Sequence, residues 1–319
     1  MIRACFLALI FADQGTAEIR TLRRWKASPV VLQSVEYSPD GKHLLTASGG
    51  GIAQIWSTNG DAGPEFKGQR PPMFRAHFNF NGQKLITTGY DGTAWIWSAN
   101  GKRLRTLQLH RAATAEVQFL PPIDTEGPGY VSGSDDGSVV LTSSTGKPLW
   151  IGQFIGTTRQ VIGNRDASLI IAGTDDGGLH FIQPSISRTT AVVNSYQTSH
   201  GRINRLEFSP DQSQIAVSGR DGFVSIWTLS GSQIKRLKAS NLGPSRGGVY
   251  CSSMSQTLLT IGDDGVVRQW SMSGNLLNSH KLSSDIKLTG IDCSPSASEA
   301  AVVDSKGQAW ILSISPNHQ

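Results

Sequence analysis

Cysteine is scarce in this 319-residue chain: there are three, Cys5, Cys251 and Cys293, and no CxxC pair. Such a set makes neither a zinc site nor a disulfide framework. Cys251 and Cys293 stand at one repeat position, filled elsewhere by Tyr37, Phe78, Phe119 and Phe208, which reads as a small buried apolar residue. No apolar run approaches the length of a membrane span. Helical periodicity is absent throughout. Charge of one sign is also missing: 29 basic residues face 24 acidic ones, a dispersed excess of +5 that does not argue for nucleic acid. The seven histidines are scattered and never within ligand spacing of one another. There is no phosphate-cradling loop ending in GK[ST] (Ser144–Lys147 is a turn), no HExxH, no EF-hand loop and no GxSxG elbow. No catalytic residue, metal site or cofactor is assigned.

What the sequence does have is glycine, 35 residues of it, and repetition. The stretch Asp91–Ser98 (DGTAWIWS) returns as Gly50–Ser57, Asp136–Ser143, Asp176–Gln183, Asp221–Thr228, Asp264–Ser271 and Lys306–Ser313. The seventh residues of these copies, Trp56, Trp97, Thr142, Ile182, Trp227, Trp270 and Leu312, recur roughly every 40–45 residues. Each repeat reads as four short strands. In the first, Leu32–Tyr37 alternates, Ser38–Gly41 (SPDG) turns, His43–Ser48 is a largely apolar strand, and Ile52–Trp56 is the third. Asn59-Gly60 then turns into an outer strand. Two repeats depart from this grammar: the third carries an insertion at Pro121–Gly129, and the fourth lacks SPDG and has a longer outer segment, Ser185–Ser199.

The two ends complement each other. Glu18–Trp25 resembles the outer segments Lys102–Leu109 and Gln233–Ala239, whereas the last repeat has no outer strand after Ala309–Ser313. The N-terminal segment therefore supplies the missing strand, closing a ring of seven sheets without leaving a pair of open edges. The basic residues Arg20, Arg23, Arg24 and Lys26 then serve as a charged cover for an outer strand.

With its SPDG turns and DG-x-x-x-[IQ]-W blocks, the chain resembles the WD40 repeat family, bacterial members above all, over essentially its whole length. The resemblance implies an all-β, seven-bladed β-propeller of four-stranded antiparallel blades, closed by the N-terminal strand. The departures are that no anchor Trp precedes Asp and that the opening Gly-His is nowhere intact. The family's buried relay of His, Ser or Thr, Asp and Trp is approached most nearly in the fifth repeat, by His200, Asp221 and Trp227. Its Ser218 stands three residues before Asp221, whereas Thr87 and Thr260 stand four before Asp91 and Asp264, a spacing that turns Ser218 away. Asp91, Asp136, Asp176, Asp221 and Asp264 are read as turn-holding acceptors, and Trp56, Trp97, Trp227 and Trp270 as buried anchors. Each Trp buries about 150–250 Å², worth about 4–6 kcal/mol at most. Blades with Thr142, Ile182 and Leu312 at the anchor are expected to be softer. The pairs Asp135-Asp136, Asp175-Asp176 and Asp263-Asp264 are turn chemistry rather than general acid–base groups.

Function is then sought on exposed loops. In WD40-like rings the turn before the anchor strand and the loop leading into the next blade share the narrower face. The turns bring Gly49, Tyr90, Asp135, Asp175, Arg220, Asp263 and Ser305 there; the lead-in loops bring Arg111, Arg159, Arg202 and Arg246. Tyr and Arg anchor protein contacts most often, so Tyr90, Arg202, Arg220 and Arg246 are the expected partner-binding residues. The reading is a non-catalytic protein–protein interaction scaffold: a monomeric ring binding proteins or peptides, with no nucleic acid and no membrane insertion. Two alternatives stay open: an exported envelope-assembly propeller, and an enzyme or cofactor-binding propeller, which would need polar side chains converging on the channel mouth. Residues 1–17 form an apolar leader and 18–319 one propeller domain. The expected location is cytoplasmic, with export after cleavage near Ala17 as the alternative.

Overall fold

The computed structural model describes residues 18–121, 127–183, 191–251 and 257–314. The apolar leader and most of the insertion at Pro121–Gly129 lie outside these residues. The chain forms seven four-stranded antiparallel sheets arranged as a β-propeller. In blade one the strands Leu32–Tyr37, His43–Ser48, Ile52–Ser57 and Ala62–Lys67 pair in sequence order from the axis outward. Blade seven is the exception: its outer strand is Arg20–Lys26, which pairs antiparallel with Gln308–Ser313 in a register that sets Arg20 against Ser313 and Arg24 against Trp310. The ring therefore closes where the two ends were expected to meet. That outer strand is exposed, with Arg24 stacked over the Trp310 ring at 4.9 Å and Arg23 3.9 Å from Glu299.

Alternation along the strands decides where the core lies. Each sheet has apolar residues on both faces, so the buried residues fall into seven clusters, each between two consecutive blades. The cluster joining blades seven and one holds Leu32, Val35, Leu44 and Trp56 against Ala301, Val303, Ala309 and Ile311. This is the hydrophobic half of the closure. The cluster between blades six and seven also takes in Ile19, which is fully buried just ahead of the closing strand. The anchors Thr142, Ile182 and Leu312 are fully buried, and the Thr142 hydroxyl has no hydrogen-bond partner among the described residues.

The turns do what their residues allow. Gly92 follows the turn Asp at φ +76°, and a Cβ there would fall 2.3 Å from the His110 carbonyl oxygen, so only glycine fits. In the SPDG-type turns Gly41 and Gly82 both adopt φ +71°, while Gln212 and Ala297 are forced into the same left-handed corner at φ +57°.

One expectation is overturned. Cys251 and Cys293 form a disulfide, with Cα atoms 5.5 Å apart, which staples the inner strands of blades six and seven. The repeat position assigned to Cys251 was also one residue out. Tyr250 lies across from Leu258, which faces Trp270, as Tyr37 lies across from Leu44 and Trp56. Blade six continues its first hairpin by one further pair, Cys251 with Thr257, and this places Cys251 within reach of Cys293.

Candidate functional site

Within the blades the anchor tryptophans are held by a buried hydroxyl. Trp56, Trp97 and Trp270 each donate their indole N–H to a threonine diagonally across the strand pair: Thr46 at 3.0 Å, Thr87 at 3.0 Å and Thr260 at 2.9 Å. In blade two Thr87 passes the chain on to Gln69 at 2.8 Å, which occupies the place of the relay His. Asp91 accepts from the backbone N–H and the hydroxyl of Thr93, and Asp176 from Thr174 and Gly178. In blade six Asp264 takes the Arg268 guanidinium and the backbone N–H of Asn241.

Blade five completes the relay by another route. Its His200 pairs with Asp221 at 2.8 Å through Nδ1, and its Nε2 lies 2.6 Å from the Ser225 hydroxyl, which also receives the Trp227 N–H at 2.7 Å. Val217 fills the place of the missing threonine, and Ser225 is its cross-strand partner, so the hydroxyl has moved to the facing strand. Ser218 points elsewhere, to the Arg205 carbonyl. In blade three His110 sits between Ser138 (2.7 Å) and Ser132 (2.8 Å); burial pushes it down to about 4, so it is neutral. Burial would raise Asp136, but hydrogen bonds from Ser138 and the Arg111 N–H outweigh it and hold it at about 2.

The axial channel is lined by the seven inner strands, and its two ends differ in chemistry. At the end where chains enter the blades, a cavity of about 170 Å³ is lined by Gln33, Phe74, Arg75, Ala115, Arg159, Arg202, Asn204, Arg246 and Thr289. No carboxylate side chain among the described residues lines it. The other end, with a cavity of about 370 Å³, collects Glu36, His77, Glu116, Glu207 and Asp292 around Arg75 and Arg205. His77 is its hub, 2.5 Å from Glu36 and 2.7 Å from Glu116 through its two ring nitrogens. Burial alone would strip the imidazole of its proton; the two carboxylates reverse this and raise it to about 10. Glu116 also takes Arg75 at 3.1 Å and Gln160 at 3.0 Å. Asp292 accepts the Tyr37 N–H at 2.7 Å, and burial, then the nearby Glu36 charge, raise its carboxyl to about 7. Among the described residues no group of three or more His, Cys, Asp or Glu has the arrangement to hold a metal ion.

A family model described as WD domain, G-beta repeat matches residues 18–57, 65–98 and 192–228. A WD repeat-containing protein of Synechocystis sp. is 32% identical over 231 residues, 72% of this chain and 68% of its own length. The chain belongs to the WD40 repeat family. A second Synechocystis protein, an uncharacterised WD repeat-containing protein, is 36% identical over 204 residues, 64% of this chain. The guanine nucleotide-binding protein subunit beta of Oryza sativa subsp. japonica is 25% identical over 220 residues. The matches span 59% and 57% of the lengths of these last two proteins. The cyanobacterial relatives fit a bacterial WD40 family.

In this WD40 ring the lead-in loops and the turns before the anchor strands share one face. Six of the turn residues, Gly49, Asp135, Asp175, Arg220, Asp263 and Ser305, donate their backbone N–H to a lead-in carbonyl at 2.9–3.1 Å. Tyr90 makes the equivalent bond to Arg70 at 3.4 Å. Of the four expected contact residues, Arg202 and Arg246 come together at the channel mouth. Exposed Arg220 lies beside Arg202, joined to it by the backbone bond. Tyr90 stands apart on blade two, half exposed, its ring 6.5 Å from Phe74 and under Arg70 at 5.7 Å. Arg111 does not reach the axis; its N–H caps Asp136 beside a separate cavity. The sequence reading missed the acidic cluster at the far end. Its signal was present: Glu36, His77, Glu207 and Asp292 each stand one residue before the last residue of an inner strand, a row that appears once the repeats are aligned.

Proposed function

We propose that this chain is a non-catalytic scaffold, a monomeric ring that offers its lead-in face to a partner protein or peptide. WD40 propellers are generally protein-interaction scaffolds. The observation that carries the reading here is that Arg and aromatic side chains share that one face: Arg202, half-buried Arg246 and Phe74 line the channel mouth, exposed Arg220 lies beside Arg202, and half-exposed Tyr90 stands further out beside Phe74. Affinity capture with mass spectrometry tests it, using the wild-type chain and the Tyr90→Ala plus Arg220→Ala variant. Partners lost from the variant support this face; the same partners from both refute it.

The polar cluster an enzymatic propeller would need does converge, at the far end. We read it as structural because its groups are engaged within the protein: His77 between two carboxylates, Glu116 with three partners, Arg205 with Glu207, and Asp292 with the Tyr37 backbone N–H. For the compartment, the Cys251–Cys293 bond supports the exported alternative over the cytoplasm, since disulfides persist in oxidising compartments. Alkylation of the denatured protein taken directly from cells, with N-terminal sequencing, tests this. Protected cysteines and a start near Glu18 support export, whereas free thiols and a start at Met1 refute it.

A further inference from the structure

We propose that the channel mouth over blades four to six binds an acidic segment of a partner protein, whose carboxylates sit on Arg202 and its neighbours Arg159 and Arg246. This rests on the scaffold reading above and adds the chemistry of the partner.

Three consecutive blades each send an arginine to the same small cavity, with Arg75 deeper in the channel. Their existing partners do not balance them. Arg159 reaches Asp135 at 2.9 Å, yet its Nε is buried with no hydrogen-bond partner among the described residues. Arg246 shares the single carboxylate of Asp263 with Lys287, at 2.7 and 3.3 Å. Arg202 has no ion pair with any carboxylate among the described residues. Desolvation, then the charges of Arg159 and Arg246, lower its affinity for the proton against the smaller opposing effect of Asp175 and Asp135, and a guanidinium stays charged at any ordinary pH. Like charges held together in a partly desolvated pocket are stabilised by an anion that enters it, and a carboxylate fits a guanidinium fork in two-point contact.

The surroundings argue for a polypeptide as the source of that anion. Ile155 and Leu242 are the two most exposed large apolar side chains among the described residues, at 85% and 66%. They ride on the lead-in loops of blades four and six, either side of the loop that carries Arg202. Apolar tips flanking a basic pocket match a segment in which acidic residues are bracketed by apolar ones. A nucleic acid would instead ask for a longer basic stripe along its phosphates.

The test is a random-peptide phage selection on the full chain, counter-selected against Arg202→Glu. Recovered peptides should be rich in Asp and Glu. Their affinity should fall by at least about tenfold in Arg202→Glu and in about 0.5 M salt, and less in Arg202→Lys or Ile155→Ser plus Leu242→Ser. Equal melting temperatures would show that these exposed positions leave the fold intact. Neutral or basic peptides, no recoverable binders, or acidic peptides indifferent to Arg202→Glu would overturn the proposal. So would a single-stranded oligonucleotide that binds more tightly through the same arginines. If the acidic preference fails while Tyr90→Ala plus Arg220→Ala still strips captured partners, the chemistry falls and the scaffold reading survives. If that variant also captures the same partners as wild type, both fall.

Discussion

His77 should make the stability of this protein depend on pH in a window where most proteins are indifferent. The imidazole is held between Glu36 and Glu116 and keeps its proton up to about 10 in the folded chain, against about 6.5 when unfolded. A group whose proton affinity rises on folding contributes stability that is fully present below its unfolded value. That stability is lost as pH climbs through the folded one, here between about 6.5 and 10, and amounts to about 5 kcal/mol at most. The perturbation is His77→Gln, which keeps a neutral polar side chain but removes the cation. Near pH 6 it leaves Glu36 and Glu116 short of a partner and should cost about 3–5 kcal/mol, the range for breaking a buried ion pair. Above pH 10 the wild-type ring is neutral too, so the gap between the two proteins should close. Urea unfolding followed by tryptophan fluorescence at several pH values between 6 and 10.5 measures both curves. A gap that stays constant across that range would mean His77 is not a cation, and the electrostatic account of the far mouth would fail.

Three further outcomes follow from particular contacts. Ser225→Ala leaves His200 Nε2 and the Trp227 N–H without the hydroxyl they share and should destabilise by about 2–4 kcal/mol, whereas Ser218→Ala should cost little; equal costs in chemical denaturation would contradict the rearranged relay. Asp292 carries a carboxyl raised to about 7 by burial, so its ionisation weakens the fold as pH rises from about 4 to 7; Asp292→Asn should be neutral near pH 4 and stabilising above pH 7 by up to about 4 kcal/mol, read from unfolding at the two pH values. A chain beginning at Glu18 should melt like the full chain, whereas one lacking residues 1–25 loses buried Ile19 and most of the strand on Gln308–Ser313, and its melting temperature should drop; equal melting would refute the closure.

The blades were legible because most repeats restate the same local chemistry: alternation along short strands, Pro-Asp or Asn-Gly at turns, and a large apolar anchor in every repeat but the third, where Thr142 stands. The closing strand was legible because one repeat lacked an outer segment that another part of the chain possessed. The relay in blade five was harder. Matching a family pattern directs attention to the second strand, where Ser218 is out of step, yet strand periodicity alone puts Ser225 on the same face as Trp227, two residues on. The disulfide escaped for a related reason. Counting back from the anchors makes Cys251 and Cys293 equivalent and suggests a packing role for both. An inner hairpin longer by one residue pair in blade six breaks that count, and nothing in the spacing announces it.

The channel shows why charge at its two ends can have different consequences. Apolar burial in this ring lies between blades, so the axial positions of the inner strands are not needed for packing and can carry ionisable groups. At the far end most charges have a charged partner, and His77, Glu36, Glu116 and Arg75 tie the inner strands of blades one to three together, while Arg205 pairs with Glu207 within its own strand. At the lead-in end Arg202 has no ion pair with a carboxylate among the described residues, and only the more distant charges of Asp175 and Asp135 act on it. A charge satisfied inside the protein is felt in folding, and a charge left unsatisfied is felt when something binds. His77→Gln should therefore change the unfolding curve and spare partner capture, while Arg202→Glu should do the reverse. Both substitutions depressing stability and capture to the same extent would show that the two mouths are one coupled network, and the division of labour would not stand.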